Sequence, residues 1–498
     1  MRRHAAPLAC WTAHADEATR SAARALDGAR RWGDTQRPAL AARRTQRSTG
    51  AGFVVNLSLR MSHAYPKQLV GAASARWMEL EKVSDPGECA LRRGALPPPA
   101  AFERLLSVAY QASLLQEEDR PVHFRLFVGN GEGLPAEAGP PDGLQVLRFA
   151  EPRSYNEHEI RRLAPAAKYH RALIGVQLTG GDDFQIWGIL QSGPRWMQSA
   201  RGGRGLPSPV PKDVVVVRVA GPGLVAVSVG DVTIAELRGG RLQGGPIDTF
   251  EAEWLAARFA HVRAELAAEH ERAMAGRGVP LDPGVARKTS QQMFKRVISI
   301  LREAHHGGTL LLVPQERAES LLGEGGSLRL KYAFADGEPR RRHRALVRAV
   351  MRELALAASE ADPRPERAGW SLYAGSSRPS IVLLDEAILE ISQLFGALAD
   401  VDGAVVLTDR FELLGFGGEI TGHLPEIVSV RRALDLEAAF YDEVSIDSVG
   451  TRHRSAYRFC TKERDALAIV VSQDGAVQFV AWHQGAPTFW EHMPATIF

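Results

Sequence analysis

In the first half of the chain, apolar residues occur first at helical spacing and then in short runs typical of strands. Apolar residues at helical spacing predict a helix over residues 100–115, and short runs separated by Gly and Pro predict strands. The predicted strands cover residues 122–128, 173–178, 184–190, 214–219, 224–229 and 232–237. This pattern predicts an α+β domain that begins near His63 and extends into the mid-200s.

The second half mixes strands with longer helices. A helix is predicted to start at Asp248, which caps it, and to end in a Gly- and Pro-rich stretch at 276–284. Further helices are predicted around 293–301, 340–358 and 385–398, with a loop at 361–380. Strands are predicted at 309–313, 404–407, 410–414, 456–459, 466–471 and 477–482. This half therefore predicts a layered α/β domain with a mixed sheet flanked by helices.

These patterns predict four segments: a basic, disordered extension at 1–61, a first domain at 62–275, a linker at 276–290 and a second domain at 291–490. The first 60 residues hold 11 Arg and 4 acidic residues, so they carry a charge of +7. The whole chain carries +3, so the remaining residues carry −4. A globally basic surface for nucleic acid is therefore not expected. Two alternatives for the extension stay open: a tail that contacts RNA, DNA or lipid, and an organelle transit peptide.

The apolar runs and the cysteines bear on location. The longest apolar runs, such as 310–313, are too short to cross a bilayer, so no membrane partner is expected. Cys10, Cys89 and Cys460 lie far apart in the sequence and fit a reducing compartment. We therefore expect a cytoplasmic protein.

Two short motifs in the second half carry candidate chemistry. Asp402-Gly403-Ala404 places a carboxylate beside two small residues before an apolar strand, where a backbone can approach a ligand and an acid can hold a metal. The segment 450–454, Gly-Thr-Arg-His-Arg, concentrates groups that suit a multiply charged anion. Taken alone, the first motif is typical of a turn and the second of a solvated surface.

Together the motifs resemble a known family. With the segment 465–472, they are similar to the diadenylate cyclase (DAC, DisA-type) domain, whose signatures are Asp-Gly-Ala and Arg-His-Arg. The resemblance covers about residues 385–480 and extends back towards Met293 through His306-Gly307-Gly308. The first domain, with Tyr65-Pro66, the segment 109–115 and Ile186-Trp187-Gly188, is similar to a probable sensor domain (DACNV) found ahead of such cyclases.

The resemblance implies an activity and roles for single residues. The enzyme would join two ATP molecules into cyclic di-AMP, with Asp402 binding Mg²⁺ or Mn²⁺ and helping to activate the ribose 3′-hydroxyl. The implied catalytic residues are Asp402, Arg452, His453 and Arg454, and the implied ATP-binding residues are Gly403, Ala404, Gly417, Gly450, Thr451, Ser472 and Gln473. Each 3′-hydroxyl attacks the other ATP, which implies a head-to-head homodimer or higher oligomer. The first domain would bind an unknown small ligand.

One departure from the family leaves an alternative open. Many relatives have a glutamate where this chain has Gln473, followed here by Asp474. This favours, weakly, a degenerate domain that binds ATP or cyclic di-AMP only as a sensor. A third hypothesis is a nucleic-acid-binding module that uses the basic extension.

Other polar and aromatic residues are interpreted as structural. We expect His305 and His306 to be cations at a helix end, the segment 340–344 to be a solvated first turn, and Asp385, Glu386 and Glu390 to be capping and surface groups. Trp77, Trp187 and Trp196 are expected in the core, with a ligand cavity as the alternative.

Overall fold

The computed structural model describes most of the chain beyond the predicted extension. The described residues are 63–83, 96–134, 139–140, 143–193, 203–204, 211, 213–230, 232–244, 247–304, 306–361, 363 and 365–492. The predicted extension at 1–61, together with Trp196, His305, Cys10 and Cys89, lies outside them.

The N-terminal region, residues 63–244, is built on one eight-stranded sheet. Its helices are α1 (Pro66–Val83), α2 (Pro99–Ser113) and α3 (Glu157–Leu163). Its strands are β1 (Gln116–Glu117), β2 (Arg120–Pro121), β3 (Phe124–Val128), β4 (Gln145–Ser154), β5 (Ala172–Gly180), β6 (Asp183–Gln191), β7 (Val215–Gly221), β8 (Leu224–Val229), β9 (Val232–Arg238) and β10 (Arg241–Gly244). The sheet order is β10-β9-β8-β7-β3-β5-β6-β4, and β1 and β2 form a separate hairpin.

The alternation of side chains along these strands separates two cores. Phe124 and Leu126 of β3 face the core that α1 and α2 cover, whereas Phe127 faces a smaller core around Trp187. Trp77 and Trp187 are both buried, which confirms that they pack in the core. The predicted helix and the predicted strands of this region are likewise confirmed, with ends shifted by a few residues.

The C-terminal region, residues 247–492, contains a nine-stranded mixed sheet. Its helices are α4 (Glu253–Arg258), α5 (Ala260–Met274), α6 (Gly284–Ala304), α7 (Ala318–Leu322), α8 (Arg342–Ser359), α9 (Trp370–Gly375), α10 (Pro379–Leu398) and α11 (Thr451–Lys462). Its strands are β11 (Gly308–Val313), β12 (Leu328–Ala333), β13 (Ala404–Thr408), β14 (Leu413–Ile420), β15 (Ser429–Ala433), β16 (Tyr441–Ser445), β17 (Leu467–Val471), β18 (Val477–His483) and β19 (Ala486–Glu491). The order is β12-β14-β13-β11-β17-β18-β19-β15-β16.

This sheet lies between two layers of helices. Leu310 and Leu312 of β11 face a large core that includes residues of α4, α5, α6, α8 and α10. Leu311 and Val313 face the opposite core, which includes residues of α7 and α11. β11 pairs in parallel with β13 and antiparallel with β17, so the sheet is mixed. The predicted fold class, an α/β domain with a mixed sheet preceded by an α+β domain, is confirmed.

Part of the predicted first domain packs in the core of the C-terminal region. Phe250, Leu255 and Val262, which the sequence analysis placed in the first domain, are buried in the large core of the C-terminal region. Helix α6 begins at Gly284, so the end of the predicted linker is helical, and Val285 is buried in the same core. These residues therefore pack with the C-terminal sheet, and the predicted bounds of the two domains and the linker stay a prediction.

Four predictions of secondary structure need correction. The predicted strand at 456–459 is part of helix α11, because its apolar residues share one buried helical face. The helix predicted from Asp248 is broken: Asp248 caps a short 3₁₀ helix, Thr249–Glu251, and α4 and α5 follow separately. The predicted loop at 361–380 contains α9 and the start of α10, and the strand predicted at 410–414 begins only at Leu413. Within the described residues, no helix combines the length and apolar character needed to cross a bilayer.

Candidate functional site

The two sequence motifs meet at one end of the C-terminal sheet. Asp402-Gly403-Ala404 leads into β13, and Gly450 is the N-cap of α11, whose first turn carries Thr451, Arg452 and His453. Arg452 Nη2 lies 3.9 Å from Asp402 Oδ1 although 50 positions separate the two residues in the chain. A carboxylate and a guanidinium from separate motifs therefore border the same space.

The Asp402 side chain is almost fully open to solvent, with 95% of its surface exposed. Gly403 follows with φ +117°, and a Cβ atom at this position would lie 2.6 Å from the carbonyl carbon of Gly417. Only glycine fits there, because any side chain would meet the β14 backbone. The Ala404 side chain is buried in the core, so only its backbone borders this end of the sheet. This close contact brings the predicted residues Gly403 and Gly417 together.

The N-terminus of α11 leaves donors open. Gly450 has no side chain to cap the helix, and Thr451 and Arg452 are exposed. The first amide groups of a helix have no partner within the helix and carry partial positive charge, so they attract anions. Arg454 lies in the same turn and forms no ion pair with another described residue. The first turn of α11 therefore has exposed Thr451 and Arg452 side chains beside helix amides that lack partners within the helix.

A third segment, which includes His306, holds Arg452 in place. The sequence did not predict this contact. Arg452 Nη1 donates to the backbone oxygen of His306 at 2.8 Å, and His306 Nε2 lies 2.8 Å from Asp400 Oδ1. His306 lies two residues after the end of α6, at the helix end where it was predicted, and precedes β11. A Cβ atom at Gly307 would lie 3.1 Å from Arg452 Nη1 and 2.5 Å from the Val471 oxygen. The His306-Gly307-Gly308 segment of the predicted resemblance thus supports Arg452.

His453 is half-buried in the same turn. Burial lowers the pKa of its imidazole, and the neighbouring Arg452 lowers it further, while the Asp474 carboxylate opposes the change. His453 is therefore neutral at neutral pH and offers one donor and one acceptor nitrogen. It is a hydrogen-bonding group, in contrast to the two arginines beside it.

A turn after β17 completes this end of the sheet. Ser472 Oγ donates to Asp474 Oδ1 and lies 3.1 Å from the Ala476 oxygen, and Gln473 is exposed. Burial raises the pKa of the Asp474 carboxyl, but the hydrogen bonds from Ser472 and Ala476 outweigh it and hold that pKa below its usual value. Sequence analysis noted Asp474 only as the neighbour of Gln473, yet its charge acts on His453.

Three groups that the sequence analysis called surface or capping groups are partly buried instead. Asp385 lies inside α10, where Oδ1 accepts from Arg296 at 2.8 Å and from Gln292 at 2.6 Å. Arg340 pairs with the buried Glu412 at 3.0 Å, and Arg344 pairs with Glu269 at 2.7 Å. These ion pairs lie outside the motif end of the sheet and are structural. No pattern in the sequence marks their partners, which come from distant segments.

An apolar cavity of about 60 Å³ lies elsewhere in the C-terminal region. Its lining includes Leu312 and Leu467, which lie at the end of β11 and the start of β17, away from Gly307 and Ser472. The cavity also contacts five phenylalanines: Phe250, Phe259, Phe294, Phe411 and Phe479. Arg263 and Arg287 also belong to the lining, but a cavity of this volume is too small for a triphosphate.

Comparison with protein families agrees with this arrangement. The model described as "DisA bacterial checkpoint controller nucleotide-binding" (DAC) matches residues 417–484, which include the 450–454 motif and the turn at 472–475 but not Asp402. The model described as "probable sensor domain DACNV" matches residues 92–191. The suspected architecture is thereby confirmed: a DACNV sensor domain precedes a DAC nucleotide-binding domain. No curated protein and no solved structure shows significant similarity to the chain.

Proposed function

We propose that this protein is a diadenylate cyclase, which condenses two ATP molecules into cyclic di-AMP and two pyrophosphates under the control of its DACNV domain. The observation that supports this most is the approach of Asp402 and Arg452 to 3.9 Å beside the open N-terminus of α11. A carboxylate opposite a cluster of phosphate-binding donors is the arrangement that nucleotidyl transfer requires.

The triphosphate would bind at the first turn of α11. Its oxygens would accept from the amides and the hydroxyl of Thr451, and from the guanidiniums of Arg452 and Arg454. His453, being neutral, would contribute a hydrogen bond without adding charge. Ser472 and Gln473 border the same turn and would contact the phosphates from the β17 side. Gly403 and Gly417 would let the nucleotide approach the backbone closely.

A metal ion at this site would be bound by the protein and the substrate together. The described residues contain no group of three His, Cys, Asp or Glu side chains that could hold an ion without help. Mg²⁺ is commonly held by one or two carboxylates together with substrate phosphates, and the exposed Asp402 provides one such carboxylate. Mg²⁺ or Mn²⁺ bound there would neutralise negative charge on the phosphates.

The reaction joins two active sites. The 3′-hydroxyl oxygen of each ATP attacks the α-phosphorus of the other, a new P–O bond forms, and the bond to pyrophosphate breaks. Arg452 and Arg454 would stabilise the charge that develops on the departing pyrophosphate. Asp402 would favour loss of the hydroxyl proton. Because both nucleotides must react with each other, the active species would be a head-to-head homodimer or higher oligomer, and the exposed position of Asp402 suits a facing second copy.

The test is product formation by the purified full chain. Incubation with ATP and Mn²⁺ should give cyclic di-AMP, detected by mass spectrometry, and Asp402→Asn should give none. Asp442→Asn is the matched control, since Asp442 is an exposed carboxylate on β16, six strands from β13 in the same sheet. Product from Asp402→Asn would show that the carboxylate is wrongly assigned. Tight ATP or cyclic di-AMP binding without any turnover would favour the sensor-only alternative.

A further inference from the structure

The N-terminal sheet touches the turn that borders the candidate site. Arg238, the last residue of β9, donates from Nη1 to the backbone oxygen of Asp474 at 2.9 Å. Asp474 belongs to the turn after β17, and the segment 472–475 lies against the support of Arg452. The N-terminal region, residues 63–244, is named the sensor region because its residues 92–191 match the sensor-domain model. A residue of this region outside the matched stretch is therefore in direct contact with the turn, across 236 positions of sequence.

The Arg238 guanidinium is fixed from its other side. Its Nε donates to Glu236 Oε1 at 2.8 Å, and its Nη2 lies 2.6 Å from the same oxygen. Only 14% of the Arg238 side chain and 16% of the Glu236 side chain are exposed. The planar guanidinium thus uses one edge for Glu236 and its remaining nitrogen for Asp474, which orients the contact.

Two arginines lie beside the glycine of this turn. Gly475 has φ +77°, and a Cβ atom there would lie 3.5 Å from Arg238 Nη1 and 3.7 Å from Arg302 Nε. Arg302 comes from α6, which leads to the His306-Gly307 segment under Arg452. Arg238 from the sensor region and Arg302 from the C-terminal region therefore flank the same glycine.

On its other side the turn reaches the first turn of α11. A Cβ atom at Gly307 would lie 3.1 Å from the Ser472 carbonyl carbon and 3.1 Å from Arg452 Nη1. The Asp474 carboxylate, fixed by Ser472, acts electrostatically on His453. A displacement of this turn would change the surroundings of both residues.

Arg238 also ends a row of charged residues that crosses the N-terminal sheet. Arg125 and Arg218 are opposite each other on β3 and β7, and Arg218 and Glu236 are both opposite Ala226 of β8. Arg125 and Arg218 are buried, and Arg218 donates to Thr233 Oγ1 at 2.8 Å. The row reaches Glu236, the residue that pairs with Arg238.

We infer that Arg238 is a positioning residue through which the sensor region sets the conformation of the 472–475 turn at the candidate site. This inference rests on the proposed function for its effect on turnover, but the contact itself does not. Movement of β9, in response to whatever the sensor region binds, would be transmitted to the turn through one hydrogen bond and from there to Arg452 and His453. The inference gives the sensor region a defined physical route to the site.

The test compares three variants of the full chain. Arg238→Met keeps the length of the side chain but removes every donor, and Arg238→Lys keeps the charge but cannot bridge Glu236 and Asp474 together. Arg241→Met is the matched control, because Arg241 is an exposed arginine at the start of β10, three residues along the same hairpin. Thermal melting establishes that each variant is folded at the assay temperature.

Hydrogen exchange reads the turn directly. In the native chain the Gly475 amide donates to the Ser472 oxygen at 2.9 Å and the Ala476 amide donates to Asp474 Oδ1 at 3.2 Å. In Arg238→Met these amides should exchange with solvent about threefold to tenfold faster than in the native chain, because one net hydrogen bond is lost. Their exchange rate in Arg238→Lys should lie between those two rates. Arg241→Met should leave them unchanged. Equal exchange in Arg238→Met and the native chain would overturn the inference.

Steady-state kinetics separate positioning from mere stability. With ATP and Mn²⁺, Arg238→Met should lower kcat about threefold to tenfold and leave KM for ATP nearly unchanged, because the α11 donors remain. A folded Arg238→Met with native kcat would contradict an effect on the site. If the native chain forms no cyclic di-AMP, the proposed function fails, whereas the exchange experiment still decides whether Arg238 holds the turn.

Discussion

Arg125 in the N-terminal sheet and Arg452 beside the C-terminal sheet both donate to backbone oxygens, yet Arg125 is fully buried while 41% of the Arg452 side chain is exposed. Arg125 Nη2 donates to the Ala172 oxygen and lies 3.3 Å from Ser192 Oγ, so this nitrogen donates inside the domain. Arg452 uses one nitrogen for His306 and turns the other towards Asp402 and solvent. A buried arginine that donates inside its own domain stabilises one region, whereas an exposed and oriented arginine can bind a ligand in the other.

The largest expected effect comes from removing the exposed arginine. Arg452→Met should lower kcat/KM for ATP about 100- to 1,000-fold, as expected when a donor that stabilises transition-state charge is lost. The melting temperature should hardly change, because the side chain is exposed and its helix starts independently of it. Kinetics and thermal unfolding of the same preparation check both parts. A large loss of stability without a loss of turnover would reverse the roles assigned to Arg452 and Arg125.

The next effect concerns Gly403, which precedes β13 and packs against Gly417 of β14. Gly403→Ala should destabilise the C-terminal region by about 2–4 kcal/mol, because its backbone has positive φ and a Cβ atom would meet Gly417. Turnover should fall as well, since Asp402 would be displaced. Gly375→Ala is the matched control, because a Cβ atom at Gly375 would meet nothing within 4 Å. Urea unfolding measures both variants, and equal stability of the two would contradict the close contact.

Removal of the buried arginine should act on stability alone. Arg125→Met should destabilise the N-terminal region by about 2 kcal/mol, because the Ala172 oxygen and the Ser192 hydroxyl would lose a buried donor. Well below the unfolding temperature, kcat should remain close to the native value. A selective loss of kcat in a fully folded Arg125→Met would show that the two regions do not differ as described.

A buried histidine gives the most gradual effect, because its contribution to stability is spread over several pH units. His343 is 1% exposed, neither ring nitrogen has a hydrogen-bond partner among the described residues, and burial lowers its pKa to about 3. The unfolded chain takes up a proton near pH 6.5 that the folded chain does not, so stability falls as the pH falls below about 6.5. The loss is about 1.4 kcal/mol per pH unit until about pH 3.

The measurement is the unfolding free energy as a function of pH. Between about pH 6.5 and pH 5, the unfolding free energy of His343→Phe should change less steeply with pH, by about 1.4 kcal/mol per unit. The reason is that the variant takes up one proton fewer when it unfolds. His492, whose pKa burial also lowers to about 3, contributes a second proton and stays in the variant. An unchanged slope in His343→Phe would show that this histidine is not the group that titrates.

Sequence patterns predicted the elements well where the apolar period was long. The helix at 99–113 and the strands from β5 to β9 follow directly from the spacing of buried residues. The strand predicted at 456–459 was wrong because a short apolar run fits both periods. Ala456, Tyr457, Phe459 and Cys460 are buried on one face of α11, and only their relation to the sheet decides between helix and strand.

The site was predictable in part. The two motifs were chosen from the sequence, and the structure brings Asp402 and Arg452 together. The contacts of His306 with Arg452 and of Arg238 with Asp474 could not be predicted, because each joins segments that are far apart and carries no local pattern. The same holds for Asp385, whose partners Arg296 and Gln292 are set by the packing of α6 against α10.

The most direct test of the central claim is a crystal structure with Mn²⁺ and an ATP analogue that cannot release pyrophosphate. The account predicts an anomalous manganese peak at coordination distance from Asp402, with phosphate oxygens hydrogen-bonded to the first turn of α11 and to Arg452. A nucleotide bound with its phosphates away from that turn, or manganese held by other residues, would contradict it.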